Sequence, residues 1–195
     1  MNILTDKNIH THLINKNPEL KILFDNVNSE SFDNLPKSPY VSLIGAVIGQ
    51  IIRYTQAKMV RGNLYKVYGN NFTIDNIINL TEQDWYNMGL DLPKVQIINN
   101  INSYILNNNI NLNCIDDIRQ LKQIVGVGEW TIDTTILTSF LDWDTFPCGD
   151  LFIRKKLQKL YNLSKIPTIK EVRIISEKYK PYRSIVAWYL WRWFN

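Results

Sequence analysis

Around residues 126–128 the chain reads Gly-Val-Gly between two short runs of helical periodicity, and no other stretch constrains the fold as tightly. Ile118, Leu121 and Ile124 recur at three-to-four spacing before the glycines, and Ile132, Ile136 and Leu137 do so after them. That pattern predicts two helices joined by a hairpin. So tight a turn needs the permissive dihedrals of glycine, and the missing side chain lets the backbone come close to another molecule. The second helix opens with its positive end and its unpaired N–H groups outward, which suits a phosphate oxygen. By itself Gly-Val-Gly is also an ordinary helix-helix turn with glycine at a C-cap, and on those three residues alone the plainer reading is preferred.

The rest of the chain reads as helices too. Residues 40–52 are apolar almost all round, which marks a helix buried on most faces, and Gly45 and Gly49 within it would admit a close neighbour. Amphipathic helices are predicted at 54–68, ended by Gly69, and at 94–106, with shorter ones at 74–80 and 82–88. Asp116 and Asp117 place carboxylates at the favourable end of the first hairpin helix. After Asp150 a helix runs to about Tyr161, another spans 168–180, and Pro181 starts the last. Residues 1–35 are polar and Asn-rich with one or two helices, the clearer at 18–27, and Pro36 to Pro39 form a break. No segment alternates as a sheet strand would, so the predicted fold is all-α.

At 195 residues and 45% hydrophobic content the chain can bury a core, as one domain or as two small lobes. No stretch reaches the roughly 18–20 apolar residues of a membrane span, and no signal-peptide pattern opens the chain, so an intracellular protein (cytoplasm, nucleoid or nucleus) with no membrane partner is expected. Two cysteines, Cys114 and Cys148, suggest neither a disulfide framework nor a zinc site. Charge is uneven: residues 151–195 hold eleven Lys and Arg against Glu171 and Glu177, a balance of +9 that leaves −5 for residues 1–150 of a chain whose net charge is +4. A cationic third directly after a candidate phosphate-binding hairpin fits a polyanionic partner, though solvated helix faces explain most lysines.

Beyond the hairpin the sequence continues Glu129-Trp130-Thr131, then an apolar helix, then Pro147-Cys148-Gly149-Asp150 ahead of the next helix. This order resembles the helix-hairpin-helix DNA glycosylases, and within them the AlkA-type 3-methyladenine glycosylases. Ile48-Gly49-Gln50-Ile51-Ile52 resembles that family's helix-ending Gly-Gln motif, Gly89 to Lys94 its Leu-Gly-x-x-x-Lys turn, and Lys180-Pro181-Tyr182-Arg183-Ser184 through Trp191 its last helix. The likeness runs in the family's order over about residues 40–191. It implies two helical lobes, a central bundle over 37–142 and a second lobe formed by 1–36 with 143–195, with the active site in the cleft between them. Larger AlkA-type enzymes carry a further N-terminal domain for which this chain is too short.

The resemblance also implies chemistry. Releasing a purine requires stabilising positive charge on the sugar and delivering water, and one carboxylate can do both. Asp150 matches that carboxylate and is at the same time a good N-cap for the helix after it, two roles that are compatible. Asp142 and Asp144 precede Pro147 and read as loop residues. The target base must be flipped into a pocket. Trp130 and Trp191 match the pocket tryptophans, whose indole faces hold cationic alkylated purines by cation-π attraction of ~1 to 2 kcal/mol; core packing is the alternative for each. Where the family's pocket has two further aromatics this chain has Thr134 and Leu151, so a wider or differently selective pocket is expected.

Gln50 and Ile51 are the implied wedge into the gap left by the flipped base. Gly126, Val127, Gly128, Glu129, Thr131 and Arg154 are the implied DNA contacts. Backbone carbonyls of Lys122, Ile124 and Val127 are the implied ligands of a monovalent cation at the hairpin. No other cofactor is expected, and the four-cysteine iron-sulfur cluster of some relatives lacks its ligands here. Where strand-nicking relatives carry a Schiff-base lysine this chain has Trp130, so a monofunctional enzyme acting as a monomer on damaged duplex DNA is expected. The rival readings are a glycosylase for deaminated or oxidised bases, a non-catalytic lesion-binding module of the same fold, and an RNA-binding helical protein.

Overall fold

A computed structural model of the chain describes residues 6–27, 38–139 and 142–193, and Pro36 and Lys37 of the expected break lie outside them. In chain order the helices are α1 Lys7–Lys16, α2 Lys21–Asn26, α3 Pro39–Gly49, α4 Tyr54–Tyr68, α5 Ile74–Ile77, α6 Glu82–Asn87, α7 Leu92–Asn108, α8 Ile115–Gln120, α9 Glu129–Thr138, α10 Leu151–Leu160, α11 Ile169–Ser176 and α12 Arg183–Arg192. Single 3-10 turns lead into α2 and follow α8 and α11. There is no strand among the described residues, as the missing alternation predicts. Local chemistry sets several boundaries. Thr81 with Asp84 and Thr168 with Glu171 form capping boxes that open α6 and α11. Pro39 sits at the first position of α3, and Gly69 ends α4 at φ 77°.

Two compact units result, one of Pro36–Leu141 and one of Met1–Leu35 with Asp142–Asn195. In the first, α3 is the central element and packs against α4, α7 and α9. Its Leu43, Ile44, Val47 and Ile48 are fully buried, each contributing ~1.5 to 3 kcal/mol of burial. The helix stops at Gly49, three residues short of the sequence-based expectation, because Gln50 turns extended and Ile51 adopts φ 53°. The apolar run therefore continues past the helix as a turn. Gly89, in the turn before α7, has φ 90° and sits against Met59 and Val60 of α4.

In the second unit α12 packs against α10 and α2, and α1 packs against the 3-10 turn Glu177–Tyr179. His10 of α1 stacks on Phe24, and both rings meet Tyr189 of α12 edge-on. The helix expected over 168–180 is shorter, with α11 giving way to that 3-10 turn, and the last helix begins at Arg183 rather than at Pro181.

Candidate functional site

In the hairpin the two glycines serve different needs. Gly126 has φ 90°, and a β-carbon there would lie 2.5 Å from Ile97 Cδ1 and 2.6 Å from its Cγ1, so the fold itself demands glycine. Gly128, the N-cap of α9, has φ −94° and ψ 176°, a conformation open to any residue, and a β-carbon there would meet nothing within 4 Å. Its bareness serves no internal contact, which is what a surface for close approach of another molecule requires. Val127 is buried and anchors the turn, while Val125 at its tip is 87% exposed. Glu129 is exposed at the first position of α9. Of the carbonyls of Lys122, Ile124 and Val127, implied by the resemblance as a cation's oxygen ligands, the Ile124 oxygen accepts the Val127 N–H at 2.9 Å. That set suits a hard, weakly charged cation and no soft metal. Among the described residues no cluster of His, Cys, Asp or Glu could hold a metal ion, and no helix is long and apolar enough to cross a membrane.

Gln50 and Ile51 separate in role. The Gln50 side-chain amide donates to the Gly126 carbonyl and to Thr131 Oγ1, both at 2.9 Å, so it fastens the end of α3 to the hairpin instead of pointing outward. The Gln50 side chain, implied as a wedge, is thus engaged within the fold in this structure. Thr131, an implied DNA contact, is buried and its hydroxyl accepts from Gln50, so its backbone, in the first turn of α9, is the part open to that role. Ile51 is the opposite case, a β-branched residue at φ 53° with its side chain fully in solvent. Such a residue is a backbone outlier, and strain of this kind persists where the surroundings hold it.

Trp130, half-buried, is the second residue of α9, and Thr134 lies one turn further on. The Thr134 hydroxyl is buried with no hydrogen-bond partner among the described residues. A methyl group on Gly49 would meet Trp130 Cη2 and Arg61 Nη1, each at 3.7 Å, so those two side chains converge on one point of α3. Arg61 lies on α4, within the amphipathic helix predicted over 54–68. A cation next to the buried stripe Ala57, Val60 and Leu64 was the available signal.

In the other unit Asp150 is 8% exposed and caps α10, its Oδ1 accepting the Ile153 N–H at 2.9 Å. Its own N–H donates to the Pro147 carbonyl at 2.9 Å, closing the turn that presents it. The loop ahead of Pro147 is clasped to the start of α12. Arg183 donates from Nε and Nη2 to the two carboxylate oxygens of Asp144, each at 2.9 Å. The Thr145 N–H donates to Ser184 Oγ at 3.0 Å, which in turn reaches the Thr145 carbonyl at 2.8 Å. Asp142 accepts from the Asp144 N–H and the Thr145 hydroxyl. Asp142 and Asp144 are thus loop-building carboxylates, as their place in the sequence predicts.

Leu151, the first residue of α10, is 53% exposed. Arg154 Nε donates to the Pro167 carbonyl at 2.7 Å, which ties one edge of the guanidinium inside the unit and leaves its terminal nitrogens for a contact. Trp191 is half-buried and meets Trp188 edge-on at 5.3 Å. Phe194, its neighbour in the aromatic run, lies outside the described residues.

No protein-family model matches the chain. Over 166 residues it is 31% identical to DNA-3-methyladenine glycosylase 1 of Schizosaccharomyces pombe, a match covering 80% of this chain and 72% of that one. Among solved structures it is similar to the 3-methyladenine DNA glycosylase of S. pombe in complex with abasic DNA, with a TM-score of 0.82 and 26% identity over 95% of each chain. It shares its fold with the 8-oxoguanine glycosylase/lyase of Clostridium acetobutylicum in complex with DNA, at a TM-score of 0.77 and 22% identity over 95% of this chain and 68% of that one.

Proposed function

Since the chain belongs to the helix-hairpin-helix DNA-3-methyladenine glycosylase family, we propose that it is a base-excision-repair enzyme that flips alkylated purines of the 3-methyladenine and 7-methylguanine type out of duplex DNA and hydrolyses their glycosidic bonds. The observation that carries this reading is Asp150: a buried carboxylate, locked by its cap to Ile153 and placed after the hairpin in the family's order. Capping needs only the oxygens of the side chain, so it is compatible with the charge a carboxylate brings. That charge stabilises the cationic sugar as the base departs, and the carboxylate orients and deprotonates the attacking water. The reaction balances with water as the only co-reactant: the C1′–N bond breaks, the base leaves on its electron pair, and the water oxygen bonds to C1′.

The remaining residues divide the work of binding. Gly126, Val127, Gly128, Glu129 and the backbone of Thr131 bring the positive end of α9 to a phosphate, and Arg154 contributes a further one. A monovalent cation on the carbonyls of Lys122, Ile124 and Val127 would add positive charge toward the same phosphate. Ile51 fills the gap left by the flipped base. Trp130 holds the base through its indole face, with Thr134 one turn on where a bulkier aromatic would stand; Trp191 and Leu151, in the other unit, are pocket residues by the family resemblance alone. Because an indole cannot form a Schiff base, the enzyme is monofunctional and leaves an abasic site. It works as a monomer in a compartment that holds DNA, and two cysteines exclude a four-thiolate cluster from its requirements.

The test is release of methylated purines from alkylated duplex, with Asp150→Asn alongside. The wild type should free the bases, and the variant should bind damaged duplex while freeing none, since Asn keeps the cap and removes the charge. Damage-specific binding without release by the wild type would make the chain a lesion sensor. A borohydride-trapped covalent adduct would overturn monofunctionality.

A further inference from the structure

Arg61 projects from α4 across the bare face of α3. A methyl on Gly45 would sit 3.7 Å from Arg61 Cδ, and one on Gly49 would sit 3.7 Å from Nη1. Among the described residues the guanidinium makes one hydrogen bond, from Nη1 to the Gly45 carbonyl at 3.2 Å, out of the five N–H groups it carries. No described carboxylate lies within ion-pair distance of it. The ionisable groups that act on it are the phenols of Tyr65 and Tyr54, which are uncharged at neutral pH. Burial is the main influence and disfavours its charged form. A largely buried cation with unused donors and no countercharge is costly for a fold to keep. Placed beside Trp130, it is the kind of group a ligand completes.

We infer that Arg61 is a specificity-determining residue that donates hydrogen bonds to a carbonyl oxygen on the edge of the base held against Trp130. This deepens the glycosylase reading and rests on it. A base is the fitting acceptor and a phosphate is not. Phosphates stay on the duplex surface, where an exposed guanidinium would meet them, whereas the extruded base is the one part of the substrate that enters the protein. The donor fork of Arg61 fits the paired O6 and N7 acceptors of a 6-oxo purine, whereas an adenine offers it N7 alone beside a donating amino group. Its positive charge also opposes a cationic base such as 3-methyladenine while leaving a neutral one unaffected. Arg61 therefore shifts selectivity toward neutral, carbonyl-bearing purines, and hypoxanthine is the simplest of these.

The experiment measures single-turnover release of hypoxanthine from a defined duplex and of 3-methyladenine from alkylated DNA. The proteins are the wild type, Arg61→Met, which keeps the stem without charge or donors, and Arg61→Lys, which keeps the charge without the fork. Melting temperatures establish that each variant is folded. The wild type should release both bases. Arg61→Met should lose about ten- to a hundred-fold for hypoxanthine, the range for a hydrogen bond to a charged donor, while 3-methyladenine release becomes faster. Arg61→Lys should lose less for hypoxanthine and gain nothing for 3-methyladenine. Equal fold-changes for both bases, an unchanged ratio, or a wild type that releases 3-methyladenine but no hypoxanthine would overturn the assignment. A wild type that releases neither base would instead remove the glycosylase reading and this inference together.

Discussion

Replacing Ile51 by glycine should make the protein more stable and less active. The left-handed conformation at φ 53° costs an L-residue roughly 1–2 kcal/mol, and glycine is free of that strain. Glycine also loosens the unfolded chain, which offsets about 0.4–1 kcal/mol of the gain. No burial is lost, because the side chain is fully exposed. The net stabilisation is about 0.5–1 kcal/mol, or ~1 to 4 °C in Tm for a chain of this length. Alanine separates strain from function, since it keeps the unfavourable φ while removing the apolar wedge.

Both variants should bind lesion-containing duplex more weakly and release base more slowly, with Ile51→Ala showing no gain in Tm. Losing a side chain that replaces a stacking partner is worth about 1–3 kcal/mol, or roughly ten- to a hundred-fold in affinity. Differential scanning calorimetry and single-turnover release measure the two effects independently. A lowered Tm in Ile51→Gly would refute the strain argument, and full-rate release by either variant would remove Ile51 as the wedge.

The two hairpin glycines should part company in one pair of variants. Gly126→Ala collides with Ile97 at a left-handed φ and should destabilise the fold by roughly 1–3 kcal/mol in urea titrations. Gly128→Val should melt close to the wild type and lose affinity for duplex DNA of any sequence, so unchanged affinity in a filter-binding assay would count against phosphate contact at that position. Asp144→Ala breaks a bidentate pair whose side chains are 23% and 27% exposed, leaves Arg183 poorly satisfied and should cost about 1–3 kcal/mol of stability. By loosening the loop that leads to Asp150 it should also slow base release at saturating enzyme with little change in duplex affinity. An equal loss in both quantities would assign Asp144 to binding instead.

What the sequence made legible depends on how far each residue reaches. The hairpin, the all-α fold and the capping role of Asp150 rest on contacts within a few positions, such as the Asp150 bond to Ile153, and spacing alone exposes them. The bonds of Gln50 are not legible in the sequence because its two partners are 76 and 81 residues away. A polar residue ending an apolar helix looks the same in sequence whether it faces solvent or bonds to a distant loop. Arg61 is illegible for a similar reason: its acceptor, Gly45, lies on another helix, and a cation beside an amphipathic stripe usually reaches water. The clasp of Asp144 by Arg183 spans 39 residues and leaves no periodic trace.

The Gln50 bonds have a consequence for how this unit meets DNA. The same side chain holds the Gly126 carbonyl of the hairpin and directly precedes Ile51, so the proposed wedge and the proposed phosphate-binding turn are joined through one amide. Loss of that amide would leave Ile51 exposed and Gly128 open, with both groups still available to DNA. It would release the spacing between them. Two contacts held at fixed separation bind with less ordering cost than two that must find their separation on the duplex. On this argument Gln50 would act by positioning the proposed wedge, Ile51.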